Sequence, residues 1–227
     1  MAVTVCIGNG PVCGSVIRYG NYPFISDRFD FTPVEWTVLS ASPPHSFLLI
    51  SRYIIDTVPE DFPMPGEKPE DAARRYMNEQ LVPRIFSEKQ CEFLIPFTDR
   101  GQTEEEARRN GQFCLLPDPT YIRGYMRLPE LRRASVTDYA QERDAFTSWE
   151  ADEDGQHYGR WMLCPEGDLM SYKYVITDEH GDFKVSKREM YGLGLRPVIR
   201  LDRRAEFTSG KNDPKQKWSH RLFADEF

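Results

Sequence analysis

The sequence lacks the residue patterns that identify most enzymes and metal proteins. None of its five cysteines stands in a C-x₂-C pair, and none of its four histidines has the spacing of a metal-binding helix. It has no phosphate-binding glycine loop and no serine in a G-x-S-x-G turn. These absences predict a chain without a recognisable catalytic motif, a bound metal or a cofactor.

Long apolar runs are also missing. No stretch approaches the 18 residues that a membrane helix needs. No lysine or arginine precedes the short apolar stretch at the start of the chain, so this segment does not resemble a secretion signal. The cysteines are odd in number and irregularly spaced, which is typical of free thiols in a reducing compartment. Together these features predict a cytoplasmic protein that does not contact membranes.

The sequence also lacks a concentrated cluster of positive charge. The chain has 36 acidic and 29 basic residues, a net charge of −7, and its basic residues are scattered among acids. Because nucleic-acid binding usually requires a concentrated basic face, broad nucleic-acid binding is disfavoured. An acidic surface is typical of a soluble protein, and it also suits a basic protein partner.

Aromatic residues are plentiful, and the apolar pattern predicts strands at both ends of the chain. With 14 Phe, 11 Tyr and 4 Trp, the chain has enough apolar surface for a large core. Alternation over residues 32–39 predicts a half-buried strand, and the apolar run 47–50 predicts its hairpin partner. Four later strands are predicted at 160–163, 172–176, 183–185 and 195–201.

Helix-start signals fill the middle of the chain. Pro69 followed by two acids predicts a helix that continues to Pro83. Ser87 precedes Gln90 by three residues, which predicts a capping box and a short helix. The acidic run after Thr103 predicts another helical start, which Asn110 and Gly111 end quickly. Strands, then helices, then strands again favour an α+β fold with mainly antiparallel strands.

Several short motifs resemble one large, uncharacterised bacterial domain family with WWLRSPG-type and GVRPALWL-type strands. They occur in the family's order at residues 19–23, 33–39, 48–51, 55–56, 76–78, 85–89, 137–140, 160–167, 178–181 and 194–201. This chain departs from the family pattern at 161–167, where the arginine and serine are absent, and at 57–69, which is rich in proline.

That family is similar to the C-type-lectin-like fold in its sulfatase-modifying-factor branch. The resemblance implies one C-type-lectin-like domain, residues 1–204, whose loops between the last strands present a ligand surface. Residues 205–227 are polar and rich in lysine, which predicts a flexible tail.

The candidate binding surface consists of aromatic and basic residues near the late strands. Tyrosine, tryptophan and arginine are enriched at recognition hot spots because each combines a large area with a polar group. The predicted ligand-binding residues are Tyr158, Trp161, Tyr172, Tyr174, Lys187 and Arg188. For Trp161 and Tyr174 the alternative is a place in the core.

Three further residues are predicted to be structural. Arg196 lies between apolar positions of a closing strand, so it should be partly buried and paired with an acid or with carbonyl groups. The predicted partner is Glu35, next to Trp36 on the 32–39 strand. The alternative role for Arg196 is ligand binding.

The function predicted from these features is a non-catalytic binding module that recognises a protein partner, as an accessory or inhibitory factor if the chain comes from a phage or mobile element. One alternative is a cysteine-dependent oxidoreductase using Cys164, as the resemblance to formylglycine-generating enzymes implies. Another is a carbohydrate-binding domain. The acidic segment 152–157 offers carboxylates to a calcium ion, although such loops are more often simply solvated.

Overall fold

The computed structural model describes residues 11–25, 31–41, 45–153, 155–164, 174–186 and 192–209, and these form a mixed α+β fold. Its strands are mostly antiparallel and its helices are short. The predicted fold class is therefore confirmed at the level of α+β. The segment near residues 3–7, which the sequence predicts to be a strand, lies outside the described residues.

The larger sheet has seven strands in the order β12-β1-β2-β3-β11-β5, and β6 also pairs with β11. All its strand pairs are antiparallel. Its strands are β1 (Val16–Tyr22), β2 (Thr32–Ser40), β3 (Ser46–Ser51), β5 (Leu94–Ile95), β6 (Cys114–Leu115), β11 (Val198–Asp202) and β12 (Thr208–Ser209). The predicted hairpin of β2 and β3 is present.

The smaller sheet has five strands in the order β4-β10-β7-β8-β9. They are β4 (Asp56–Thr57), β7 (Trp161–Leu163), β8 (Tyr174–Thr177), β9 (Phe183–Ser186) and β10 (Gly194–Leu195). The pair β10 and β7 is parallel. The turn between β8 and β9 depends on Gly181, which has φ +86° and whose α-carbon lies against the Pro129 carbonyl, so a side chain there has no room.

In the described ranges, seven short α-helices connect and cover the sheets. They are α1 (Pro69–Tyr76), α2 (Val82–Ile85), α3 (Glu88–Cys91), α4 (Glu104–Arg109), α5 (Pro119–Tyr125), α6 (Pro129–Arg132) and α7 (Asp138–Glu142). The predicted capping box at Ser87 is present, and the acidic helical start after Thr103 also has a capping box, between Thr103 and Glu106. No helix in the described part of the chain is long and apolar enough to cross a membrane.

The first helical segment continues past Pro83, where the sequence predicted its end. A π-helical turn, Met77–Leu81, joins α1 to α2, and the Val82 amide donates to the Met77 carbonyl. Proline lacks an amide hydrogen and its ring clashes with the preceding helical turn. The wider π-helical turn accommodates Pro83 near the start of α2, so the chain stays helical to Ile85.

The last predicted strand, 195–201, is divided into β10 and β11, which belong to different sheets. Arg196 and Pro197 form the break. Proline cannot donate to a sheet ladder, which explains why pairing stops there. The chain thus passes from the smaller to the larger sheet at Arg196, and this residue occupies the junction.

The fold extends beyond residue 204, the predicted end of the domain, into the segment predicted to be a flexible tail. Ala205 is buried, and the Phe207 ring packs edge-on against Phe47 at 5.8 Å. Thr208 and Ser209 pair with β1. Residues 205–209 therefore belong to the larger sheet and its core, because an added edge strand buries Phe207; residues 210–227 lie outside the described range.

Helix α7 ends in a left-handed residue that is not glycine. Asp144 has φ +66°, and the amides of Asp144 and Ala145 donate to the carbonyls of Gln141 and Ala140, which is the Schellman pattern. Because glycine adopts this conformation without steric cost, we expect Asp144→Gly to raise the free energy of unfolding by a few tenths to about 1 kcal/mol. Urea unfolding measures this change, and a destabilised variant would contradict it.

Candidate functional site

The structure describes three of the six residues of the predicted binding surface, Tyr158, Trp161 and Tyr174. Trp161 is 0% exposed, and its indole nitrogen donates to the Arg132 carbonyl at 3.0 Å, so it is a core residue. Tyr174 starts β8 opposite Ser186. The positions of Tyr172, Lys187 and Arg188 lie outside the described residues.

Tyr158, the remaining predicted residue, belongs to a hairpin formed by residues 147–153 and 155–159, which we call the Trp149 hairpin. Thr147 and Gly159 form an antiparallel bridge at its base. The Ser148 amide donates to the Tyr158 carbonyl at 2.7 Å, and the Tyr158 amide donates to the Ser148 hydroxyl at 3.0 Å. The sequence predicted a surface loop here, whereas the backbone pairs across it.

Asp152 stabilises the end of the Trp149 hairpin that lies opposite its base. Its carboxylate accepts from the Gln156 amide at 2.9 Å and from the Tyr158 hydroxyl at 3.0 Å. The Arg133 guanidinium lies 4.2 Å from the centre of the Tyr158 ring and 4.0 Å from the Asp152 carboxylate. These contacts show that Tyr158 and Asp152 fix the hairpin to the chain before α7.

Trp149 is the most exposed large apolar side chain among the described residues, at 97%. The side chains of Glu150, Glu153 and His157 on the same hairpin are also exposed. A tryptophan of this exposure leaves most of its apolar area in water, an unfavourable state that burial against a partner would relieve. Sequence reasoning missed Trp149, although it is the one aromatic residue between Ser148 and Gln156 in an otherwise polar segment.

A second group of functional side chains, centred on Asp56, is buried where β1, β4, α1 and α7 meet. The Asp56 carboxylate is fully buried and accepts hydrogen bonds from four donors. They are the Tyr22 hydroxyl at 2.6 Å, the Tyr76 hydroxyl at 2.9 Å, the Arg143 Nε at 2.6 Å and the Thr57 amide at 2.8 Å. We call these residues the Asp56 network.

The Asp56 network has a strong electrostatic effect on its members. Burial, reinforced by the negative charge of Asp56, raises the pKa of the Tyr22 and Tyr76 hydroxyls, which therefore remain protonated donors. Burial disfavours the charged form of Arg143, but Asp56 and Tyr76 outweigh it and raise the pKa of this guanidinium. The salt bridge of Arg143 with Asp56, at 2.6 Å, lies at the centre of the network.

The predicted structural residues have different partners from the expected ones. Glu35 binds Arg18 at 2.7 Å and Arg52 at 2.9 Å, so the predicted pairing of Glu35 with Arg196 is wrong. The Trp36 indole is buried and donates to the Tyr19 carbonyl at 2.7 Å. Glu35 forms ion pairs with Arg18 and Arg52 because these two arginines lie on or beside the neighbouring strands.

Arg196 donates to carbonyl groups at the junction of the two sheets. Its Nε donates to Ser51 at 3.1 Å, its Nη1 donates to Arg132 at 3.2 Å, and its guanidinium lies 4.6 Å from the centre of the Trp161 ring. Burial lowers the pKa of Arg196 to about 9, so it remains charged at neutral pH. Arg132 is also buried and donates to the carbonyls of Gly181, Met126 and Arg127.

Three described cysteines, Cys91, Cys114 and Cys164, have thiols whose pKa is raised. Burial raises the pKa of Cys164, and Asp118 and Glu70 raise it further. Burial also raises the pKa of Cys91 and of Cys114. Because the thiolate is the reactive form, these surroundings disfavour cysteine chemistry. Over the described residues, no group of three or more histidine, cysteine or acidic side chains is placed to hold a metal ion.

No family model, curated protein or solved structure matches the chain. The function is therefore inferred from the contacts of this chain itself.

Proposed function

We propose that the chain is a non-catalytic binding module with a C-type-lectin-like arrangement, and that it recognises a protein partner through the Trp149 hairpin. The observation that carries this proposal is the 97% exposure of Trp149 on a hydrogen-bonded hairpin. Tryptophan is the residue type most enriched among interface hot spots, where it fills a pocket of the partner.

The hydrogen bonds that stabilise the Trp149 hairpin support a role in binding. The backbone bonds between Ser148 and Tyr158, and the Asp152 contacts at the far end, hold the segment that carries Trp149. Ordering a loop on binding lowers affinity, so a hairpin that is already ordered retains more of the interaction energy. The hairpin therefore holds Trp149 in its exposed position before a partner binds.

The charge around Trp149 indicates the kind of partner. Glu150 and Glu153 are exposed on the same hairpin, and the chain as a whole has a net charge of −7. Charges at the rim of an interface guide association with a surface of opposite sign. The proposed partner therefore presents an apolar pocket surrounded by lysine or arginine residues, and association should slow as salt concentration rises.

We expect Trp149→Ala to weaken partner binding at least about 30-fold, or about 2 kcal/mol, because it removes the buried anchor. The tagged chain is used to capture partners from its native lysate, and the captured protein is purified and titrated against each variant by calorimetry. Phe31→Ala is the matched control, since Phe31 is also an exposed aromatic residue, at 63%. The stability of Trp149→Ala should stay within about 0.5 kcal/mol of the parent chain.

Three outcomes would contradict the proposal. One is a partner that binds Trp149→Ala as tightly as the parent chain, and another is equal weakening by Phe31→Ala. The third is binding that depends on Trp149 on a glycan array with no protein captured, which would favour a carbohydrate-binding domain. A parallel double variant, Tyr172→Ala with Arg188→Ala, tests whether the segment between the late strands adds to the same surface.

A further inference from the structure

A cleft of about 490 Å³ lies at the edge of the larger sheet, where β5 begins and β11 ends. Four separate parts of the chain line it: the residue before β3, the residues around the start of β5, helix α4 and the residues at the end of β11. Its volume lies within the roughly 300–1,000 Å³ of small-molecule sites. All its lining side chains except that of Ile95 are charged or polar. This cleft, which we call the β5–β11 cleft, therefore suits a small polar ligand.

Four of the charges that line the β5–β11 cleft neutralise one another. Arg204 donates two hydrogen bonds to the Asp202 carboxylate, from Nη2 to Oδ2 at 2.6 Å and from Nε to Oδ1 at 3.0 Å. The Arg108 guanidinium lies 3.7 Å from the Glu104 carboxylate, and its Nη2 donates to the Leu94 carbonyl at 2.9 Å. These two ion pairs contribute no net charge to the cleft.

Two further charges in the β5–β11 cleft, those of Glu92 and Arg203, have no ionic partner among the described residues. The Arg203 guanidinium donates to the Ala41 carbonyl and lies 5.1 Å from the centre of the Phe47 ring. Most of its five N–H donors are therefore unused. The Glu92 side chain is exposed, and its carboxylate accepts no hydrogen bond from a described residue.

The pairing of the two strands brings Glu92 and Arg203 to the same end of the cleft. Strands β5 and β11 are antiparallel, and beyond their ladder the Asp202 amide donates to the Phe93 carbonyl at 2.8 Å. Glu92 and Arg203 are the next residues on these two adjacent segments. Their side chains form no ion pair with each other, because the Arg203 guanidinium is directed to the Ala41 carbonyl. The cleft therefore presents one anionic and one cationic group that are close together but not joined.

We propose that the β5–β11 cleft binds a free amino acid, with Arg203 binding its carboxylate group and Glu92 binding its ammonium group. Guanidinium groups bind carboxylates through paired, charge-assisted hydrogen bonds, and an ammonium group carries three donors for a carboxylate. An amino acid neutralises both unpaired charges at once, whereas a simple anion or cation leaves one of them without a partner. The site shares no residue with the Trp149 hairpin, so it is independent of the function proposed for that hairpin.

The backbone amide signals of positions 92 and 203 in nuclear magnetic resonance spectra report on the cleft. Both residues line it, and the Arg203 amide donates to the His45 carbonyl at 3.0 Å. The whole chain is titrated at low ionic strength with each of the standard free amino acids. Sodium acetate and methylammonium chloride at matched ionic strength are the references, since each carries only one of the two charged groups.

Arg203→Gln and Glu92→Gln each remove one of the two unpaired charges. Arg109→Gln and Glu105→Gln are the matched controls, because these residues are exposed on α4 and do not line the cleft. We expect at least one amino acid to give a saturable shift with a Kd below about 10 mM, and acetate and methylammonium to bind at least about tenfold more weakly. Each cleft variant should weaken amino-acid binding about tenfold, since it removes a charge-assisted hydrogen bond, and the controls should leave it unchanged.

The proposal is overturned if no amino acid saturates either signal below this concentration, or if acetate alone binds as tightly as the best amino acid. Unchanged binding to Arg203→Gln or to Glu92→Gln would also overturn it, and so would equal weakening by a control variant. Amide signals that stay in place away from the cleft show that each variant is folded.

Discussion

Replacing Asp56 by alanine is expected to lower the free energy of unfolding by about 3–5 kcal/mol. The change removes the acceptor of four hydrogen bonds and leaves the Arg143 cation and the Tyr22 and Tyr76 hydroxyls without their partner. Asp56 and Tyr22 are almost completely buried, so water cannot replace the lost bonds without opening the core. Denaturant unfolding followed by circular dichroism measures the loss.

Two further variants show whether the loss of stability in Asp56→Ala comes from the missing hydrogen bonds. Tyr22→Phe deletes one donor and keeps the ring, so it should cost about 1–2 kcal/mol. Asp56→Asn keeps the shape but replaces an acceptor oxygen by a donor, so its cost should lie between those of Tyr22→Phe and Asp56→Ala. If Asp56→Ala cost less than about 1 kcal/mol, the network would not contribute to the fold as described.

Arg196→Ala is expected to have a comparable effect, also about 3–5 kcal/mol. The variant leaves a cavity beside the Trp161 ring and removes the donors to the carbonyls of Ser51 and Arg132. These contacts hold the crossing between the two sheets, so the variant should unfold as a whole at lower denaturant concentration. Thermal unfolding monitored through the buried tryptophans measures this change.

Arg196→Met separates packing from hydrogen bonding. Methionine fills much of the same space and removes the cost of burying a charge with no acid among its hydrogen-bond partners, so we expect a loss of about 1–3 kcal/mol. Arg196→Lys keeps the positive charge but loses the planar guanidinium group that donates to two carbonyls. This variant should therefore be no more stable than Arg196→Met. Equal stability of the methionine and alanine variants would contradict the packing contribution.

Local signals in the sequence were sufficient for many of the elements. The alternation over 32–39 predicted β2, the capping box at Ser87 predicted α3, and the acidic run after Thr103 predicted α4, because these signals depend on neighbouring residues alone. The helix past Pro83 was not predictable in this way. The continued helix requires a π-helical turn, and no local residue preference predicts such a turn.

The candidate sites depend on contacts between residues far apart in the chain. Asp56 and Arg143 are 87 positions apart, and no spacing rule links them to Tyr22 or Tyr76. Trp161 was predicted both as a surface residue and as a core residue, since a short strand with apolar residues on both faces does not reveal which face is covered. Trp149 had a sequence signal, a lone aromatic residue in a polar segment, but its exposure follows from the hairpin.

The sequence by itself determined the α+β class, the capped helix α3 and the hairpin of β2 and β3, because these follow from periodicity, turn residues and caps within a few positions. The tertiary structure decided which strands share a sheet, where residues 195–201 divide, and which charges pair. Arg196 illustrates the difference: its sequence context predicted burial, but its partners are the carbonyls of Ser51 and Arg132 rather than Glu35. A buried cation binds whichever acceptors the packed chain brings within reach, and that depends on the whole fold.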